Sequence, residues 1–257
     1  MTTNSQIPRA RYLAGSSRLP DVSPVDDIAD ILDALPLPVP RITDWPGVYR
    51  PDVDSALLCA AVSRELLGHR EMPSAAEICA GSGIASIYAA RLGASVTALD
   101  RGRRQVAAIR INAARNRTRV RARRADVRAP LPLEPVGLLF ANPPYVPTPV
   151  DAADTPAARA WNAGGRGRDI LDAIIEQIPT VVRPGGVVLL VHSALNGVDE
   201  TLQRLAQVGC KARVTRRHSV AFGPVMRERS EWLRDNTFIS AGQAVEELVV
   251  VRGLQMR

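Results

Sequence analysis

An α/β fold, an open sheet with helices on both faces, is what this sequence predicts, and three observations carry the prediction. Short apolar runs that end in polar or acidic residues alternate with stretches of helical length, as in repeated βαβ units. One junction, Glu77-Ile78-Cys79-Ala80-Gly81-Ser82-Gly83, puts glycines between a strand and a helix, where a backbone can approach a ligand closely. Another, Gly137-Leu138-Leu139-Phe140, reads as the end of a buried strand and leads into Ala141-Asn142-Pro143-Pro144-Tyr145. Asn142 should therefore emerge where the sheet opens into a loop, which is where such sheets bind ligands.

Length and composition bound the rest. With 257 residues and 46% hydrophobic content, one α/β domain with a small appendage can bury a full core. The start, Met1-Thr2-Thr3-Asn4-Ser5-Gln6, is polar, and no apolar run approaches the ~18 residues of a membrane span, so a cytoplasmic protein without membrane contact is expected. Cys59, Cys79 and Cys210 are odd in number and form no ligand pattern with His69, His192 or His218, which argues against a disulfide framework or a zinc site; no metal is expected.

The net charge of +7 and pI of about 10.1 would suit a nucleic-acid partner. Of the 33 basic residues only Lys211 is a lysine, a bias that with the alanine richness looks like coding composition rather than a binding surface. The densest group is Arg115, Arg117, Arg119, Arg121, Arg123, Arg124 and Arg128. Several alternate with Val120 and Ala122, as on the solvated face of an edge strand; a phosphate-contacting patch is the other reading.

Residues 1–46 differ in character from the remainder of the chain, with prolines at 8, 20, 24, 36, 38, 40 and 46, and are taken as an extension of the main domain at 47–257. Ser23-Pro24 followed by Asp26 and Asp27 is a helix start, and Ile28, Ile31, Leu32 and Leu35 share one helical face. So short a helix needs a surface: it packs on the main domain, or serves as a lid or docking arm. Next, Val48-Tyr49-Arg50-Pro51-Asp52-Val53-Asp54-Ser55 opens an apolar helix that runs through Leu67. Asp54 and Ser55 fall at its entry, able to cap it or to offer oxygens to a cation.

Residues 75–80 form the first strand, and Ile84 to Leu92 the helix after the glycines. The second strand, Ser95 to Leu99, ends in Asp100, about twenty residues past the glycines, where an acid accepts hydrogen bonds from the ribose of a nucleoside cofactor. A pyrophosphate would need a third glycine over the helix N-terminus, and position 86 is Ser, so a nucleoside without a diphosphate is favoured. Helix 102–116 and strand 119–124 lead to Asp126, placed to accept from an adenine amino group. After the tetrad, a loop from Val146 to Arg168 carries Trp161 and Gly164-Gly165-Arg166-Gly167, suited to a flap over a substrate or to plain surface packing. Helix 169–182, a turn at 184–186, strand 187–191, helix 197–208, strand 212–219, a loop with Gly223-Pro224 and Trp232, and strand 246–251 complete the chain.

Asn142-Pro143-Pro144-Tyr145 has a definite physical use. The prolines lack N–H groups and bias the residues before them away from helix, which leaves the carbonyls of Asn142 and Pro143 free to accept hydrogen bonds elsewhere. A planar –NH2 group could donate one hydrogen to the Asn142 side chain and the other to the Pro143 carbonyl, with Tyr145 over its flat face. A proline-rich turn with Asn as an ordinary turn former is the plainer account.

Four strand ends that bring polar groups to one rim resemble the class I S-adenosylmethionine-dependent methyltransferases, and the tetrad resembles that of members that methylate a planar nitrogen. Val48-Tyr49-Arg50-Pro51 through Asp54-Ser55 is similar to the Val-Tyr-x-Pro-x-x-Asp-Thr segment of the HemK-like glutamine N5-methyltransferases, with Ser for Thr. The resemblance runs from about Val48 to Val251, is closest to the compact branch, and leaves residues 1–46 outside. It implies a Rossmann-like seven-stranded sheet and S-adenosyl-L-methionine as cofactor. It further implies cofactor contacts at Ser55, Glu77, Cys79, Gly81, Gly83, Asp100, Arg101, Asp126, Val127 and Asn142, and catalysis by Asn142, Pro143 and Tyr145. Pro143 and Tyr145, with Trp161, would meet the substrate. Cys79 departs from the glycine common at its position, so its contact should use backbone. A protein glutamine, as in a translation release factor, is the expected acceptor, with an activating partner subunit as a further expectation. Adenine N6 or guanine N2 of RNA or DNA, and a small-molecule amine, are the alternatives.

Overall fold

The computed structural model describes residues 28–68, 73–152, 155 and 158–256. The helix start at Ser23 to Asp27, the prolines at 8, 20 and 24, and His69 lie outside them. Two helices, α1 (Ile28–Asp33) and α2 (Val53–Leu67), precede the sheet. There follow β1 (Ser74–Ile78), α3 (Ile84–Arg91), β2 (Ser95–Asp100), α4 (Arg103–Arg115), β3 (Val120–Arg124) and β4 (Val136–Ala141). The second half comprises α5 (Asp169–Val181), β5 (Val182–Ser193), α6 (Val198–Gln207), β6 (Cys210–Ala221), α7 (Pro224–Glu228), α8 (Ser230–Asp235) and β7 (Val245–Gln255).

The seven strands form one sheet in the order β3-β2-β1-β4-β5-β7-β6. The first five are parallel, while β7 runs antiparallel between β5 and β6. β4 is buried along its whole length, which explains its unbroken apolar sequence: a central parallel strand is covered on both faces. β3 is an edge, with Ala122 buried between exposed Arg121 and Arg123, so the charge alternation marks a solvated edge strand.

Strand alternation sorts the core into two layers. On one face Leu138, Phe140, Leu189, Val191, Leu248 and Val250 pack against α2 and α3; on the other Leu139, Ala141, Val188, Leu190, Val249 and Val251 pack against α5. Ile31 of α1 is buried in the first layer, and Leu32, Leu35, Leu37, Val39 and Ile42 pack beside it. Beyond them the chain is tied along α4, Arg41 N–H donating to Asn116 Oδ1 (2.9 Å) and Thr43 N–H to Asn112 Oδ1 (2.9 Å). The described part of the extension thus packs on the domain.

Three local expectations are corrected. The turn at 184–186 lies inside β5 as a bulge, since Val136 pairs with Val182 and Leu138 with Val187. The loop after Gly223 contains α7 and α8, too short to show a helical period in sequence. β6 and β7 extend well past 212–219 and 246–251, because antiparallel pairing carries them over residues without apolar alternation.

Register sets the site. Ile78 pairs with Leu99 on one side and Ala141 on the other, and Asp100 pairs with Arg124. The residues at these strand ends, Cys79, Asp100, Asn142 and Asp126, leave the sheet at one rim.

Candidate active site

The turn after β1 is built on left-handed backbone. Cys79 (φ 60°), Gly81 (φ 53°) and Gly83 (φ 80°) all adopt it, a region cheap for glycine and strained for cysteine. A Cβ placed on Gly81 would meet nothing nearer than Tyr49 Cβ at 3.8 Å, so the turn is open above that residue. At Gly83 a Cβ would lie 3.1 Å from Ile109 of α4, so this glycine serves helix packing.

Asp100 closes the turn from the next strand. Its Oδ2 accepts from Gly81 N–H (3.0 Å) and its Oδ1 from Gly102 N–H (2.9 Å). Burial raises its pKa, against the pull of those two donors. Glu77 is buried beneath, where Ser86 N–H (2.8 Å) and the Ser86 hydroxyl both donate to Oε2, yet desolvation still lifts its pKa to about 8. Ser86, at the position of the missing glycine, thus holds Glu77. Arg101 lends its carbonyl to Arg124 (2.9 Å). Asp126 stands at the rim with its carboxylate on Arg128 (3.0 and 2.7 Å), which lowers its pKa to about 2, and Val127 is buried with its carbonyl accepting from Gln177 (3.3 Å).

The centre of the site is Asp54. The cap of α2 is Asp52, not Asp54 or Ser55, correcting the capping expectation. Asp54 is buried in the first turn of α2, where its Oδ2 accepts from the hydroxyls of Tyr49 (2.8 Å) and Tyr145 (3.3 Å) and its Oδ1 from Ser55 N–H (2.6 Å) and Oγ–H (3.2 Å). The Asn142 side chain lies beside the same carboxylate and helps hold its pKa down. Desolvation raises the Asp54 pKa despite these donors; burial and the Asp54 charge push both phenols well up. So ringed by donors, Asp54 does not present oxygens to a cation, and no metal-type cluster occurs among the described residues.

Asn142 can reach a carboxylate only through its –NH2, which turns its carbonyl the other way. That oxygen, Oδ1, is buried and has no hydrogen-bond partner. A buried acceptor without a donor costs about 1–3 kcal/mol, a cost that a ligand's N–H would remove. Behind the tetrad, Asn196 donates to the Tyr145 carbonyl (2.7 Å) and to the Gly167 carbonyl (3.0 Å).

Trp161 and Tyr145 both pack against one apolar cluster of Val146, Phe222, Met226, Leu233 and Ile239. The loop that bears Trp161 is tied down where it is described: Val146 N–H donates to the Trp161 carbonyl (2.9 Å), and Arg229 reaches Pro147 O (3.1 Å) and Asn162 Oδ1 (2.6 Å). Arg168, buried, donates to the carbonyls of Asn196 and Gly197 and to Asp172. A glycine-hinged flap is not how its ends are built.

Sequence reasoning placed the turn, Asp100 and the tetrad. It missed the carboxylate that joins Tyr49 and Ser55 to the tetrad, and it missed Ser86 and Asn196. Tyr49 and Asp54 stood in a recognisable segment, but only the fold shows that they meet Tyr145.

The family model for the methyltransferase small domain matches residues 41–219. A protein of Methanocaldococcus jannaschii with the provisional name protein N5-glutamine methyltransferase is 32% identical over 183 residues, 70% of this chain and 90% of that protein. Methyltransferase HEMK2 of Homo sapiens is 30% identical, over 63% of this chain and 79% of its own. The release factor glutamine methyltransferase of Gloeobacter violaceus is 31% identical, over 64% and 62%. Among solved structures, the E. cuniculi Mtq2-Trm112 complex, described as responsible for methylation of the eRF1 translation termination factor, shares the fold with a TM-score of 0.57 at 21% identity, over 81% of this chain and 99% of that one.

Proposed function

This chain belongs to the methyltransferase small-domain family, and on that premise we propose that it is an S-adenosyl-L-methionine-dependent enzyme that methylates the side-chain amide nitrogen of a protein glutamine. The observation that carries the reading is the buried, partnerless Oδ1 of Asn142. The Asp54 carboxylate lies beside that side chain and favours its –NH2 end, which aims the acceptor before any substrate arrives.

The residues fit the cofactor. The backbone opens above Gly81, and the Asp100 carboxylate sits on that turn with the geometry to share a ribose hydroxyl. Glu77 and Cys79 stand at the end of β1, Arg101 follows β2 and Asp126 and Val127 follow β3, while Ser55 lies in the first turn of α2 beside Asp54 and Gly83 caps α3. Bound there, the cofactor supplies an electrophilic methyl group on sulfonium sulfur.

The protein's own part is positioning. An amide nitrogen is a poor nucleophile because its lone pair is delocalised into the carbonyl. Asn142 Oδ1 and the Pro143 carbonyl take the two N–H hydrogens, Tyr145 covers the flat face with its hydroxyl pinned by Asp54, and Trp161 extends the apolar wall. Acceptors fixed in advance stabilise positive charge as it develops on nitrogen.

The expected acceptor is a translation release factor, the kind of substrate that the names of two relatives carry. The E. cuniculi neighbour is a complex with Trm112, and an activating partner subunit belongs to the same proposal. RNA is the weaker reading. Exposed Arg121 and Arg123 do line a cavity of about 360 Å³, but with Ser74 and Ser95 it lies where β1 and β2 begin, at the opposite end of the strands from Asn142. No helix among the described residues is long and apolar enough to cross a membrane.

The test is transfer of labelled methyl from the cofactor to purified release factor, ribosomal RNA, DNA and metabolites, with and without proteins that co-purify from the host. Mass spectrometry should place the label on a glutamine N5. Label on RNA and none on protein would refute the proposal.

A further inference from the structure

The buried polar side-chain atoms without a hydrogen-bond partner, among the described residues, are Asn142 Oδ1, Arg168 Nε (which is ion-paired to Glu200 at 3.4 Å), His192 Nε2, Asn196 Oδ1 and Glu246 Oε2. Only the last belongs to a carboxylate, and Glu246 is placed by the fold beside the tetrad. On β7 it shares a face with Leu248 and Val250, the face that packs on α2, which carries Asp54. Ser193, at the end of β5, pairs with Leu248, and Glu246 lies two residues before Leu248 on the antiparallel β7, so Glu246 stands just past the end of β5, at the rim, with the Ser193 side chain near its carboxyl. Both Asp54 and Tyr145 feel its charge.

Methylation of an amide requires such a group. As the nitrogen–carbon bond forms and the carbon–sulfur bond breaks with its electron pair left on sulfur, the nitrogen becomes positive and must shed one N–H proton to give a neutral N-methyl amide. Carbonyl oxygens such as those of Asn142 and Pro143 do not keep a proton near neutral pH. The phenols of Tyr49 and Tyr145 already carry theirs. Asp54 is enclosed by its donors, the Asp100 oxygens by Gly81 and Gly102, and His192 faces the α5 side of the sheet, beside Arg168 and Asp172. We infer that Glu246 Oε2 receives the proton that the methylated nitrogen gives up, once one of the two N–H groups swings away from its carbonyl acceptor.

The inference rests on the reading of the site as an amide methyltransferase. The groups facing Glu246 are Asp54 from α2, Tyr145 from the loop after β4 and Ser193 from β5; its cross-strand partner on β6 is the uncharged Val220. Burial first, and the Asp54 charge, raise its pKa to about 7, against the lowering influence of the Ser193 side chain, which suits a base working near neutrality.

The experiment follows single-turnover transfer to a glutamine-containing release-factor peptide against pH, alongside 13C NMR titration of the Glu246 carboxyl in the full-length chain. The wild-type rate should rise along a limb near pH 7 that matches the NMR titration. Glu246→Gln should cut the rate by ~100-fold and abolish the limb while cofactor and peptide affinities hold, the scale of a lost general base. Ser193→Ala removes a hydroxyl that lowers the pKa, so both limb and titration should move to higher pH; this variant decides the matter if Glu246→Gln fails to fold. An unchanged rate and limb in Glu246→Gln, or an unmoved limb in Ser193→Ala, would overturn the inference. A wild-type enzyme that methylates another planar nitrogen, with the limb intact, would instead sink the glutamine reading and leave Glu246 in place.

Discussion

Asp54, in the first turn of α2, and Asn142, one residue past the end of β4, lie side by side, and the carboxylate draws the –NH2 end of the Asn142 amide toward itself and its oxygen toward the site. Asp54→Ala should release the Asn142 carboxamide to turn and leave the hydroxyls of Tyr49 and Tyr145 without their acceptor. Turnover should fall by ~100-fold, as for a lost electrostatic stabiliser. Stability should drop by about 1–3 kcal/mol from the orphaned donors. Steady-state kinetics and calorimetric melting measure the two effects; normal kcat would show that the orientation of Asn142 does not depend on Asp54.

The two halves of the site should separate under substitution. Asn142→Ala removes the amide acceptor and should lower kcat by ~100-fold or more with cofactor affinity little changed. Asp100→Ala frees the N–H groups of Gly81 and Gly102 and should weaken cofactor binding by ~10–100-fold, the equivalent of about 1–3 kcal/mol. Isothermal titration with S-adenosyl-L-methionine reports both; equal losses of affinity would mean that the two residues serve one site.

Cys79 pays for its left-handed backbone with about 1 kcal/mol that glycine would not incur. Cys79→Gly should therefore raise the melting temperature by roughly 2–4 °C, less whatever the partly buried thiol contributes in packing. Differential scanning calorimetry is the check. A lower melting temperature would show that the thiol's contacts outweigh the strain.

Stability should decline as pH rises through neutrality. Glu77 and Glu246 both have folded pKa values raised by burial, to about 8 and about 7. The folded state thus binds more protons than the unfolded chain between the ordinary carboxylate pKa and those values. Their stabilising contribution is complete below the ordinary value and is lost as each folded pKa is passed. Melting temperature measured across this range should fall, and Glu77→Gln should flatten the upper part of the fall. A melting temperature that rises through the same interval would contradict the burial of neutral carboxyls.

The parts legible in the sequence share a cause. β1, β2 and β4 are short, buried and bounded by turn residues, so their ends, and with them Gly81, Asp100 and Asn142, could be placed from local pattern alone. Asp54 could not be assigned its role, because a polar residue at a helix start reads as a cap and its partners lie far along the chain. Glu246 read as the first residue of a strand, since nothing local shows that Ser193 and Asp54 will enclose it. α7 and α8 stayed hidden because helices this short stand on tertiary packing rather than on an amphipathic period.

β7 comes after β6 in the chain and yet lies between β6 and β5. On a translating ribosome β5 must therefore wait with a bare edge, and β6 without any neighbour, until the later segment emerges and slots between them. Until then that unpaired hydrogen-bonding rim is open to edge-to-edge association. The same late insertion delivers Glu246, so the pocket gains its last carboxylate only when the sheet is finished.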